Sequence, residues 1–172
     1  MAVNEELEEQ VHHAHEPFDK TVAASMAIIA ALLAVVSVMG QHFTTEQLLM
    51  QQKASDEWAF SQAKDIRHYS AQIARDILPL IKPGAAALNR YTQDADRYKK
   101  DSREQQEKAR DFEKERDKNG REAVRFHFGE VFLEVAIVLS SLSILMKRRA
   151  LFFGGAGAAI VGVLVSATAL TA

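Results

Sequence analysis

Two carboxylates, Glu130 and Glu134, stand four residues apart in a segment that is otherwise largely apolar. Spacing of four places both on one helix face, one turn apart. A charged side chain at the centre of a membrane-spanning helix costs on the order of 2.5–3.5 kcal/mol on insertion scales. Glu130 falls near enough to the segment's end to be solvated. Glu134 falls deeper and needs a proton or a partner, for which His127, Arg125 and the hydroxyls of the first and third apolar segments are candidates. We expect the pair to fix helix packing. The functional alternative is a proton- or cation-handling site in a small oligomeric pore.

The remaining residues with chemical potential are fewer. His12, His13, His15 and Glu16 form an acidic-histidine cluster in which His12 and Glu16 share a helical face, so they are the weak candidates for a divalent metal. No fixed fourth ligand accompanies them, and a solvated tail explains them as well. Trp58, Phe60 and Arg67 are a candidate docking patch for an unidentified protein partner, although a buried staple between two helix arms accounts for the same residues. There is no His-Glu-x-x-His, no phosphate-binding glycine loop and no Gly-x-Ser-x-Gly elbow. No catalytic residue, cofactor site or firm metal site is therefore nominated. The chain has no cysteine, which excludes disulfides and thiol chemistry, and its formal charge of −2 gives no basic patch for nucleic acid.

The elements that must position these residues follow from where apolar sequence accumulates. After an acidic tail over 1–20, residues 21–40 carry no charge, and about 20 such residues match a hydrocarbon core of about 30 Å. The acidic leader argues against a cleaved signal peptide, which opens on positive charge. A second span is predicted over 126–146. The apolar run from Val135 to Met146 is too short to cross alone, so the helix extends back through both glutamates. A third covers 150–172. Only Lys147, Arg148 and Arg149 separate the last two, which forces an antiparallel pair with a basic turn at the headgroups. Positive residues in short connections favour the cytoplasm, which places the N-terminus inside and the 41–125 insertion outside. Small residues recur every four positions at Ala23, Ala27 and Ala31 and at Gly154, Ala158, Gly162 and Ser166, a pattern for close helix contact.

The insertion reads as a helical hairpin. Arms over 44–78 and 85–118 lack interior Pro and Gly, and Pro79, Pro83 and Gly84 punctuate a turn over 79–84. Thr44 or Thr45 would cap the first arm, and Asn119-Gly120 would break the second before the next span. Leu88, Tyr91, Ala95, Tyr98, Ser102, Gln105, Ala109, Phe112 and Arg116 alternate spacings of three and four, a heptad. Ala59, Ile66, Ile73 and Ile77, with Tyr69 beside them, form the expected facing stripe. Small and polar residues thin this seam, so further copies of the chain are the natural remedy.

Two stretches, Gln52 to Arg67 around Trp58 and Gly129 to Met146 with the basic triplet after it, resemble a bacterial membrane-protein family known only as a domain of unknown function. The resemblance covers nearly the whole chain and implies one N-terminal span, a coiled-coil middle and two closing spans. It implies no activity. The expectation is an all-α, three-span protein of the bacterial inner membrane with a long antiparallel coiled-coil hairpin. It has the lipid bilayer and copies of itself as partners, and acts as a scaffold. The alternative is a small channel or transport-accessory protein using Glu134.

Overall fold

The computed structural model describes residues 17–81 and 84–170 and is helical throughout. Helix α1 runs Pro17–Ile77 and α2 runs Ala85–Leu145, each of 61 residues, and α3 runs Arg149–Ala169, of 21. A short 3-10 turn, Leu78–Ile81, ends α1 where Pro79 cannot continue the α ladder. All three helices are long and apolar enough to cross a membrane. His12, His13 and Glu16 lie outside the described residues.

Both long helices pass through glycines that the sequence reading took for boundaries. At Gly40 there is no break: Thr44 donates its hydroxyl back to the Gly40 carbonyl at 2.9 Å, within the helix, and caps nothing. The same holds at Asn119-Gly120, which α2 crosses without interruption. Glycine in a helix interior costs about 1 kcal/mol relative to alanine, and close packing offsets it. A Cβ at Gly40 would come 3.3 Å from that of Phe126, and one at Gly120 would come 2.8 Å from the Gln47 amide.

The chain divides into two compact units, one holding residues up to Thr44 and from Arg121 onward, the other Thr45–Gly120. In the first unit a core of Ile29, Val36, Phe126, Leu133, Ala136, Ala159 and Ala169 joins the apolar segments of the three helices, with Phe43 stacked on Phe126 at 5.5 Å. Helix α3 lies hard against α2. Cβ atoms at Gly129 and Gly162 would each sit 2.8 Å from the other's carbonyl oxygen, and one at Gly155 would sit 2.9 Å from that of Ala136. The buried face of α3 is Gly155, Ala159, Gly162, Ser166 and Ala169. Of the four-residue strip expected there, Gly162 and Ser166 are buried, Ala158 is half-buried and Gly154 is exposed, because the packed face follows alternating steps of four and three. Ala23, Ala27 and Ala31 are exposed, and α1 instead buries Val22, Ile29 and Val36, seven residues apart. The basic turn is tight. Lys147 adopts a left-handed φ of 51°, and Lys147 and Arg148 donate back to the Ile144 and Ser143 carbonyls, closing α2 in a Schellman motif.

The second unit is a helical hairpin, its pairs falling in α2 as they rise in α1. Arg116 donates to Gln51 at 2.7 Å, Trp58 to Glu113 at 3.0 Å, Lys64 to Asp101 at 2.8 Å and His68 to the Ala95 carbonyl at 2.7 Å. The seam is built mainly from small residues, Ala54, Ser61 and Ala71 facing Ala95, Ser102 and Ala109, with His68 among them, all buried. Ser61 and Ser102 meet at 3.0 Å, and Gln106 donates to both. The heptad from Leu88 to Arg116 lies on this face, with Tyr91 the exposed member. The expected first-arm stripe does not. Ala59, Ile66, Tyr69, Ile73 and Ile77 are all exposed, which corrects the reading from sequence. Small side chains let the two helices approach closely, and their face, not the most apolar one, turns inward.

Candidate functional site

Chemistry-bearing side chains converge in the first unit around Glu130. Ser37 of α1 donates its hydroxyl to Glu130 Oε1 at 2.6 Å, and His127 Nδ1 lies 3.2 Å from Glu130 Oε2. The imidazole's other nitrogen, Nε2, lies 3.3 Å from the Thr44 hydroxyl. Thr44 has one proton and already gives it to the Gly40 carbonyl. All contacts are therefore satisfied at once when both ring nitrogens carry hydrogen, with Thr44 accepting at its oxygen. The site is a chain of four side chains, Ser37–Glu130–His127–Thr44, that ties α1 to α2, and Thr44 and His127 directly follow the stacked Phe43 and Phe126. Helical spacing explains it: Ser37 and Thr44 are seven residues apart on α1, and His127 and Glu130 three apart on α2, so each pair shares a face.

Glu134 is placed differently. Its side chain is exposed on the outside of the unit, and the groups proposed as its partners are engaged elsewhere: His127 and Ser37 hold Glu130, and Arg125 donates to the Thr168 carbonyl at 2.8 Å. Ser141, seven residues on, shares its face and is also exposed. The two glutamates thus act separately, one satisfied within the unit and one presented outward. From sequence, Ser37 entered only among the first segment's hydroxyls as a possible partner of Glu134, and Thr44 as a helix cap; neither was placed beside Glu130 and His127. Ser37, deep in the apolar run at 21–40 and two helical turns before Thr44, was the available signal.

The remaining candidates are dispersed. Trp58 is half-buried and bonded to Glu113, as a staple between arms, whereas Phe60 and Arg67 are exposed and not gathered with it. Lys147, Arg148 and Arg149 are exposed at their turn, with the Arg149 guanidinium 5.3 Å from the Phe18 ring centroid. Among the described residues no group of three or more His, Cys, Asp or Glu side chains could hold a metal ion. In the hairpin, Lys64 holds the Asp101 carboxyl below the usual carboxylate range, chiefly through their hydrogen bond. Glu57 Oε2 is buried in the seam without a hydrogen-bond partner among the described residues.

No curated protein and no solved structure matches the chain. A family model does, over residues 18–172, and by that match the chain belongs to the family described as a domain of unknown function, DUF4337.

Proposed function

We propose that this chain is a non-enzymatic membrane scaffold, anchored by three transmembrane helices and self-associating, with an antiparallel coiled-coil hairpin presented to one side. Three helices of spanning length support the anchoring, as do the large apolar side chains exposed around the first unit, among them Ile28, Val35, Val38, Val138, Ile160 and Leu164. We assign it to the bacterial inner membrane, with the Lys147–Arg149 turn and the N-terminus cytoplasmic and the hairpin periplasmic, on the preference of positive short connections for the cytoplasm.

The observation that carries self-association is Glu134. It lies eight residues into the 126–146 span, about 12 Å along the helix axis, exposed and in line with the exposed hydroxyl of Ser141. A polar pair facing hydrocarbon is costly, and a neighbouring protein surface that hydrogen-bonds it removes that cost. Replacing Glu134 by Ala should weaken self-association in lipid vesicles by about threefold to twentyfold, the worth of an interhelical hydrogen bond of roughly 0.6–1.7 kcal/mol. Unchanged association would remove Glu134 from the interface. The same outward line of Glu134 and Ser141 favours a second reading, a small oligomeric channel in which several copies turn this face to a central pore. Conductance across reconstituted bilayers that Glu134→Gln abolishes would establish that reading, and silent bilayers would discard it.

A further inference from the structure

The hairpin carries a second heptad on the side of α1 facing away from its own seam. Ala59, Ala63, Ile66, Ser70, Ile73 and Ile77 follow steps of four, three, four, three and four, and the apolar Leu80 follows in the 3-10 turn. At 100° per residue, Ile66 lies about 140° around the helix from the buried Ser61. The large members are strongly exposed: Ile66 by 67%, Ile73 by 59%, Ile77 by 50% and Leu80 by 80%. The hairpin seam forms on the opposite face of α1, so among the described residues nothing covers these side chains.

We propose that this stripe is the seam between two copies of the chain, packed parallel and in register along α1. The inference rests on the membrane-scaffold reading and adds to it the surface and the geometry of assembly. Insertion gives α1 the same polarity in every copy and confines the copies to one plane, so first arms meet parallel and at raised local concentration. The heptad then assigns Ala63, Ser70 and Ile77 to one core position and Ala59, Ile66 and Ile73 to the other. Charge on the flanks agrees. From Gln62 to Asp76 the positions that border a parallel seam carry one cation, Arg67, and one anion, Asp76, and pairing in register sets Arg67 against Gln62. No like charges face each other. The outward side of the second arm, by contrast, is dense with Lys99, Lys100, Arg103, Glu104, Glu107 and Lys108, and two such faces have no apolar core to share.

Because the chain has no native cysteine, single substitutions report contact without background. The full-length protein, reconstituted in phosphatidylethanolamine–phosphatidylglycerol vesicles, is oxidised after Ile73→Cys or, separately, Arg103→Cys. The expected result is a covalent dimer from the first and none from the second, since facing core positions of a parallel pair are close enough for a disulfide after small adjustment. In parallel, I66E/I73E should weaken association by about a hundredfold or more, as expected when two isoleucines lose their burial, with helical content unchanged because both are exposed in the single chain. An assembly of several chains that neither forms the Ile73→Cys dimer nor responds to I66E/I73E overturns this seam and leaves the scaffold reading standing. Equal dimerisation at both positions overturns it too, as random collision. A single chain per particle overturns both.

Discussion

At the scale of single residues, two carboxylates illustrate how placement decides consequence. Glu130 receives hydrogen bonds from Ser37 and His127, so its cost inside an apolar unit is met locally. Glu57 stands in the hairpin seam with one oxygen buried and without a hydrogen-bond partner among the described residues. An unsatisfied buried acceptor costs about 1–3 kcal/mol, so Glu57→Leu should stabilise the hairpin by about that amount, read as a rise in the thermal unfolding midpoint. A fall would show that the carboxylate has an essential partner. Asp101 supplies a pH dependence of opposite character. Its ion pair with Lys64 lowers its pKa in the folded state, so its contribution is complete above the ordinary carboxylate range and is lost as pH falls through the lowered folded value. Asp101→Asn should therefore flatten the acid limb of hairpin unfolding followed by circular dichroism, while leaving the slope above neutral pH unaltered.

At the scale of elements, helix contacts are governed by small residues. Gly129 packs on Gly162 and Ser166, and an added Cβ would meet both. Gly129→Ala should destabilise the α2–α3 pair by about 1–3 kcal/mol, the usual cost of overpacking, measurable as a lower midpoint of thermal unfolding in detergent. Gly157, with open space around the position of a Cβ, should tolerate alanine and serves as the control. The same physics explains which elements were legible in the sequence. The turn punctuation at Pro79–Gly84 and the alternation from Leu88 to Arg116 are local signals, and the helix ends at Ile77 and Ala85 and the buried face of α2 follow from them. The buried face of α1 in the hairpin does not. Hydrophobicity nominates Ile66, Ile73 and Ile77, yet close approach selects Ala54, Ser61 and Ala71, and only the facing helix reveals that choice. Gly40 and Gly120 misled for a related reason. Glycine breaks a helix by propensity, whereas here each lies at a close contact that propensity does not encode. Of the candidate site, the four-residue spacing of Glu130 and Glu134 was visible. Its division into an inward and an outward carboxylate was not, because it depends on where Ser37 lies across the interface.

At the scale of the whole molecule, α1 and α2 each run 61 residues without interruption, and each of the two units holds its own packed contacts. Both units also present features that the described residues leave exposed: Glu134 with Ser141 in the first, and the isoleucine stripe in the second. Coverage by further copies accounts for both at once. The decisive measurement is the mass of the full-length protein in lipid nanodiscs or mild detergent, corrected for bound lipid. Self-association requires a discrete particle holding two or more copies of the 19.1 kDa chain at concentrations near those of the native membrane. A uniform single-chain particle under those conditions, with the hairpin still helical, would contradict it.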